Sequence, residues 1–212
     1  MIQFFDKIRQ PKTVGSKKVE IKMCIAIALF AGLLGVFQKY LDSTCVNTLP
    51  YIIQAVDLGN FFGRFAIWIL FGTVLSVYAF SPKQAALHTF IFFVSMVSGY
   101  YLYCNCMLGF LPVNYMKIWF VMAFISPVFS YICWYAKGEG MVAVMISSVI
   151  LGVVFSQAFL ITQGFYMTHV LEVVMWMLAL LILRRKPKDF MILMIASLVV
   201  AYVYQLFVPH WG

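Results

Sequence analysis

The chain has 212 residues, 64% of them hydrophobic and only 10% charged, with 15 Lys and Arg against 7 Asp and Glu for a net charge of +8. Soluble domains carry about a quarter charged residues, so this composition, with a mean hydropathy of +0.97, excludes a water-soluble core. The basic excess does not call for nucleic acid, because it sorts by topology and leaves no basic face with interleaved aromatics.

Residues 1–22 are basic. Met1 to Arg9 mixes aromatic and basic side chains, which suits a short helix on the inner leaflet or a solvated tail. The apolar run that follows is no cleavable signal peptide, since no small-x-small site leading into a soluble domain comes after it. Seven apolar runs then succeed one another at 23–40, 61–80, 85–104, 115–135, 141–160, 166–183 and 190–208. Each approaches the ~20 residues that cross a bilayer core as a helix, the form that satisfies its own backbone in lipid. Residues 23–212 are therefore expected to form one all-α domain, a polytopic transmembrane helical bundle of about seven spans, with six as the alternative and no internal repeat evident.

The breaks between runs fall into two kinds. Ser81-Pro82-Lys83, Lys137-Gly138-Glu139-Gly140 and Arg184-Arg185-Lys186-Pro187-Lys188 are short and basic, while 104–114 and 161–165 hold no Lys or Arg. The positive-inside rule places the amino terminus and the three basic turns in the cytoplasm, and Pro209-His210-Trp211-Gly212 outside. Twelve of the fifteen Lys and Arg are then inside, and Lys39, Arg64 and Lys117 are the exceptions. With Asp6, Glu20, Glu139 and Asp189 also inside, the inner side carries the whole +8, and Asp42, Asp57 and Glu172 balance the outer cations.

Ionisable groups in hydrocarbon cost about 2.5–3.5 kcal/mol each on insertion scales, so each needs a partner or a task. Residues 49–58 read as a short helix at the outer interface. Continuing that helix would put Asp57 and Arg64 on one face two turns apart, which leaves three readings for Arg64: snorkelling to headgroups, an ion pair, or a ligand contact. Glu172 lies about 9 Å below the outer boundary of its span at 1.5 Å per residue. His169, three residues earlier, is expected to share its face and to pair with it, as a structural tether or as a proton relay. Lys117 and Asn114 open the fourth span, and Gln157, Thr162 and Gln163 close the fifth, which makes the outer half polar enough for a vestibule. Tyr100, Tyr101 and Tyr103 close the third span and Trp134 and Tyr135 the fourth, as interfacial belts. Small residues at Ala28 and Gly32, and at Gly152 and Ser156, permit close helix approach.

Cys45 is placed to bridge either Cys104 or Cys106, whereas Cys24 and Cys133 face a reducing compartment. Cys104-x-Cys106 lacks zinc spacing. No zincin, lipase-type or nucleotide-loop motif is present, so no cofactor and no catalytic constellation is implied.

The stretch Ser81-Pro82-Lys83-Gln84-Ala85-Ala86-Leu87, the Gly99-Tyr100-Tyr101-Leu102-Tyr103 end of the third span, and Ser126-Pro127 with Cys133-Trp134-Tyr135-Ala136-Lys137-Gly138 resemble a family of small polytopic membrane proteins from Clostridia-like bacteria. The resemblance covers residues 60–190 and implies fold kinship and a multi-pass bacterial plasma-membrane location. A weaker similarity is to the substrate-binding membrane subunits of energy-coupling factor transporters, in length, basic amino terminus, Ala28 and Gly32, and the loop after the first helix. This chain departs from them in having seven apparent spans where six are usual. That similarity implies an ATPase module as partner. The resulting expectation is a solute-binding or solute-translocating component, with Asp57, Arg64, Lys117, Gln157, Gln163, His169 and Glu172 around an outer-half site. The rival expectations are a protein that packs against a membrane partner, and a lipid-modifying enzyme. The bilayer itself is a partner under all three.

Overall fold

The computed structural model of the chain describes residues 7–12, 16–162 and 164–208. Five helices are long and apolar enough to cross a membrane: α1 (Lys17–Ser43), α5 (Pro82–Leu108), α6 (Val113–Cys133, extended by a 3-10 turn to Lys137), α7 (Gly140–Ala158) and α9 (Pro187–Phe207). The chain is a multi-pass, all-α membrane protein whose long helices expose apolar side chains such as Leu29, Leu33, Phe124, Met145 and Ile195. Two very short helices, α2 (Tyr51–Ala55) and α3 (Leu58–Phe61), follow α1. The predicted runs 61–80 and 166–183 condense into two 13-residue helices, α4 (Phe65–Val77) and α8 (Val170–Ile182). Each is about 20 Å long at 1.5 Å per residue. Between α7 and α8 a small hairpin pairs Phe159 with Met167 and Leu160 with Tyr166.

Small residues set the closest packing. A Cβ on Gly99 would collide with the Gly32 carbonyl oxygen, and one on Gly35 with that of Met96, so α1 and α5 touch backbone to backbone. Their contacts rise together along both chains, from Phe30 against Phe92 to Asp42 against Tyr100, so the two helices are parallel. The same holds for α7 and α9. Ser148 meets Leu193, Gly152 would place a Cβ 2.6 Å from the Ser197 oxygen, and Gln205 donates to the Ser156 and Phe159 carbonyls. Two parallel long helices adjacent in sequence order require the chain between them to return the length of the bundle. That return is made by α4 in one case and by α8 in the other. The order long, short, long therefore occurs twice, with α6 between the two triples, a repeat that the residues themselves do not display.

Local chemistry fixes the element ends. Ser81 Oγ accepts from the Gln84 amide at 3.2 Å, Gln84 Oε1 accepts from the Phe80 amide at 2.8 Å, and Pro82 takes the first helical position of α5. Gly109, at φ 68°, closes α5 in the left-handed conformation. Pro127 inside α6 cannot donate to Ala123, and the Ser126 hydroxyl takes its place on that carbonyl at 2.7 Å.

At the basic end, residues 7–12 pack against the bundle; Met1 to Asp6, most of the expected leaflet helix or solvated tail, fall outside the described residues. Ile8 is buried, its carbonyl accepts from Glu139, and the Lys12 amide donates to Phe80. Arg9 donates to the Trp134 and Val77 carbonyls and stacks 4.2 Å from the Trp134 ring. Arg185 does the same service for Ala136 and Gly138. These carbonyls lie at helix carboxy-terminal ends, where a cation is favoured. Burial pushes both guanidinium groups down from their ordinary value, Asp189 opposing this at Arg185.

α4 occupies the centre, packed on α5, α6, α7 and α8. Near its basic end Ser76, Ser130 and Thr89 form a buried chain of hydroxyls, Oγ to Oγ 2.7 Å and then 2.8 Å.

Candidate functional site

The polar chemistry at the other end begins where the two short helices start. Asp57 is the one non-glycine residue at positive φ among the described residues (φ 53°), a conformation that a short polar side chain tolerates. It breaks the chain between α2 and α3. Arg64 is itself extended and caps α4, so the predicted continuous helix from 57 to 64 does not exist and the chain doubles back. This brings Arg64 Nη1 to 2.9 Å from Asp57 Oδ2, closer than two helical turns would allow, while Asn60 Nδ2 donates to Asp57 Oδ1 at 2.8 Å.

Glu172 stands in the first turn of α8, where the helix dipole favours a carboxylate. It is 1% exposed, and its Oε1 is 2.5 Å from Arg64 Nε. The partner expected from the sequence, His169, is not the one used. His169 is extended (φ −143°, ψ 149°) at the cap of α8, so the three-residue helical spacing does not apply, and its Nδ1 is buried without a hydrogen bond. Arg64 therefore joins Asp57 to Glu172 and ties the start of α4 to the start of α8. The Arg64 Nε to Glu172 Oε1 approach is an ion pair without hydrogen-bond geometry, and Arg64 Nη2, Glu172 Oε2 and Trp176 Nε1 are also buried without hydrogen-bond partners. Of the three readings for Arg64, the ion pair is the one formed.

The other expected residues lie apart from this cluster. Lys117 is exposed on α6. Gln157 sits by the hairpin, its carbonyl accepting from Thr168 Oγ1 at 2.6 Å and its amide donating to Ser156 Oγ at 3.3 Å. Gln163 lies outside the described residues, as do Pro209 to Gly212. The bridge from Cys45 to Cys104 or Cys106 is not formed, and all five cysteines are free.

A cleft of about 100 Å³ opens between α1, α4, α5 and α6. Gln38, Asp42, Trp68, Tyr101, Tyr115 and Trp119 line it, with the Gly59 and Gly63 backbone as its floor. Both Gln38 Nε2 and Trp68 Nε1 donate to the Phe62 carbonyl, at 3.0 and 2.9 Å. Asp42 Oδ2 receives Lys39 Nζ at 2.6 Å and the Tyr100 hydroxyl at 3.0 Å. Gln38 Oε1 and the Tyr101 hydroxyl are buried without partners. A vestibule was expected, but Gln38, Tyr101 and Trp119 were not part of it. The spacing of Gln38 and Lys39 to Asp42 on one face of α1 was a signal for Gln38, whereas no spacing rule links Tyr101 on α5 or Trp119 on α6 to it.

No protein-family model matches the chain, and no curated protein or solved structure is similar to it.

Proposed function

We propose that the chain is a solute-binding and solute-translocating component of a bacterial plasma membrane, with seven spans and a cytoplasmic amino terminus. The seven-span reading is supported by the two parallel pairs of long helices, which need α4 and α8 as return crossings, and the orientation by the charge asymmetry. Short spans whose ends are completed by irregular polar backbone recur where membrane carriers hold solutes.

The observation that carries the reading is the Arg64 to Glu172 contact, which fastens the first short span to the second at equivalent ends. A buried ion pair with unpaired atoms on both partners is a poor source of stability and a good two-position latch. Segment 57–64 supplies Asp57 and Arg64 to the latch and Gly59, Phe62 and Gly63 to the lining of the cleft, so occupancy of the cleft and closure of the latch are mechanically linked. The proton-relay alternative loses its His169 step. An ATPase module would dock at the basic end, where Arg184 and Lys186 to Lys188 flank the capping Arg185, and kinship to the Clostridia-like family is part of the same proposal.

The test is accumulation by proteoliposomes of a mixture of small polar metabolites, with the lumen read by mass spectrometry. Wild-type protein enriches at least one solute over empty liposomes, and Glu172→Gln, eluting as a folded species, enriches it far less. Wild-type enrichment by Glu172→Gln removes the latch from the mechanism. Enrichment of nothing by wild type rejects the carrier.

A further inference from the structure

The buried polar atoms left without partners in the cleft can both accept a hydrogen bond. Gln38 Nε2 is committed to the Phe62 carbonyl, which leaves Oε1 as a fixed, buried acceptor. The Tyr101 oxygen is likewise buried and unused, and Asp42 supplies a carboxylate. The rest of the wall is aromatic, with Trp68, Tyr115 and Trp119. Buried acceptors and a carboxylate set among ring faces recognise a positively charged donor.

The protein already holds one such group at the edge of the cleft. Lys39 Nζ is 2.6 Å from Asp42 Oδ2 and 5.1 Å from the centre of the Tyr100 ring, an ammonium on a carboxylate with an aromatic face beside it. Lys39 is tethered on α1, one turn from Asp42, and does not line the cleft. It can swing aside when a second ammonium takes its carboxylate.

We infer that this cleft binds the primary ammonium group of a small solute or a lipid headgroup, in competition with Lys39: the ammonium donates to Asp42, Gln38 Oε1 and the Tyr101 oxygen, and the attached carbons pack on Trp68 and Trp119. The inference rests on the carrier reading and names its ligand class. At about 100 Å³ the space admits the ammonium and a few carbons, not a bulky solute.

The experiment uses the full chain in phosphatidylglycerol nanodiscs, titrated with ethanolamine, tetramethylammonium or acetate at constant ionic strength and followed by calorimetry and thermal unfolding. Removing the tethered competitor in Lys39→Met is expected to tighten ethanolamine binding by about tenfold, and Tyr101→Phe in that background to weaken it by about fivefold, the scale of one hydrogen bond. Ethanolamine should also raise the Tm of Lys39→Met but not that of Lys39→Met/Asp42→Asn. Tetramethylammonium, which has no donors, should bind far more weakly. A second set of nanodiscs containing phosphatidylethanolamine separates the sources. If the headgroup is the ligand, Lys39→Met retains that lipid in native mass spectra and ethanolamine no longer adds stability. If the ligand is free, the lipid makes no difference. The inference is overturned if Lys39→Met gains nothing from either source, or if acetate or tetramethylammonium matches ethanolamine. In those cases Glu172-dependent accumulation of some other solute would leave the carrier standing with a different ligand class, whereas loss of the carrier with ethanolamine rescue intact would leave a binding site without transport.

Discussion

Removing one partner of a buried ion pair costs about 3–5 kcal/mol, because the other charge is left in a low-dielectric site. The two ends of the Arg64 to Glu172 pair should not fall equally within that range. In Glu172→Gln, Arg64 keeps Asp57 at 2.9 Å, and its side chain is 12% exposed, so a loss near the lower limit of about 3 kcal/mol is expected. In Arg64→Met, the 1% exposed Glu172 has no other cation, so the loss should approach about 5 kcal/mol; Asp57, 39% exposed and still bonded to Asn60, adds little. Replacing both, as Arg64→Met/Glu172→Met, removes the pair together with its desolvation penalty and should bring stability to within about 1–2 kcal/mol of wild type. The cycle thus carries a coupling of several kcal/mol with the sign of a favourable pair. At about 2–4 °C per kcal/mol for a chain of this size, Glu172→Gln should lower Tm by roughly 6–12 °C, Arg64→Met by more, and the double variant by least. Circular dichroism in one detergent, with size exclusion to confirm a monodisperse species, reads all four. A double variant less stable than either single one would refute the reasoning, since it would mean that the groups act independently.

Arg9→Ala should release the Val77 and Trp134 carbonyls and undock residues 7–12, at about 2–3 kcal/mol for hydrogen bonds made by a charge. Trypsin cleavage at Lys12 should then accelerate sharply, and an unchanged cleavage rate would deny the docking. Gly99→Leu should push α1 from α5, since even a Cβ collides with the Gly32 carbonyl, and lose at least the ~1–3 kcal/mol of an overpacked contact; a thermal shift below one degree would show the helices free to part. Ser130→Ala should cost about 1–2 kcal/mol by stranding the Thr89 hydroxyl, while Ser76 keeps the Gly72 carbonyl. For topology, a membrane-impermeant maleimide added to intact cells should label the exposed Cys45 and Cys106 alike and leave Cys24 and Cys133 unlabelled. Labelling of only one of the first two would place α1 and α5 in opposite directions and remove the return crossing by α4.

Helix formation in a membrane is dictated by the need to satisfy backbone groups locally, so the five long spans could be read from apolar length alone. The runs at 61–80 and 166–183 were equally apolar, yet length could not show that the first four residues of each lie outside its 13-residue helix. That outcome depends on Arg64 and His169 adopting extended backbone so that the short helices begin at the ion pair. Periodicity arguments fail at such points because they assume a helix through the residues being compared. Asp57 with Arg64 and His169 with Glu172 were each compared across a helix start, and the true contact, Arg64 with Glu172, joins segments 108 residues apart that no spacing rule connects. What the sequence did carry was the imbalance itself. Three cations and three acids remained on the side where positive-inside sorting leaves none to spare, and four of those six charges now stand in two contacts, Lys39 with Asp42 and Arg64 with Glu172, with Asp57 as a second acid on Arg64. Lys117 stands in neither contact and is exposed on α6, as a snorkelling side chain would be, the fate first considered for Arg64. The cost of placing charge in hydrocarbon thus pointed to residues that the bundle pairs, Lys39 with Asp42 and Arg64 with Asp57 and Glu172, and left the choice of partner to the fold.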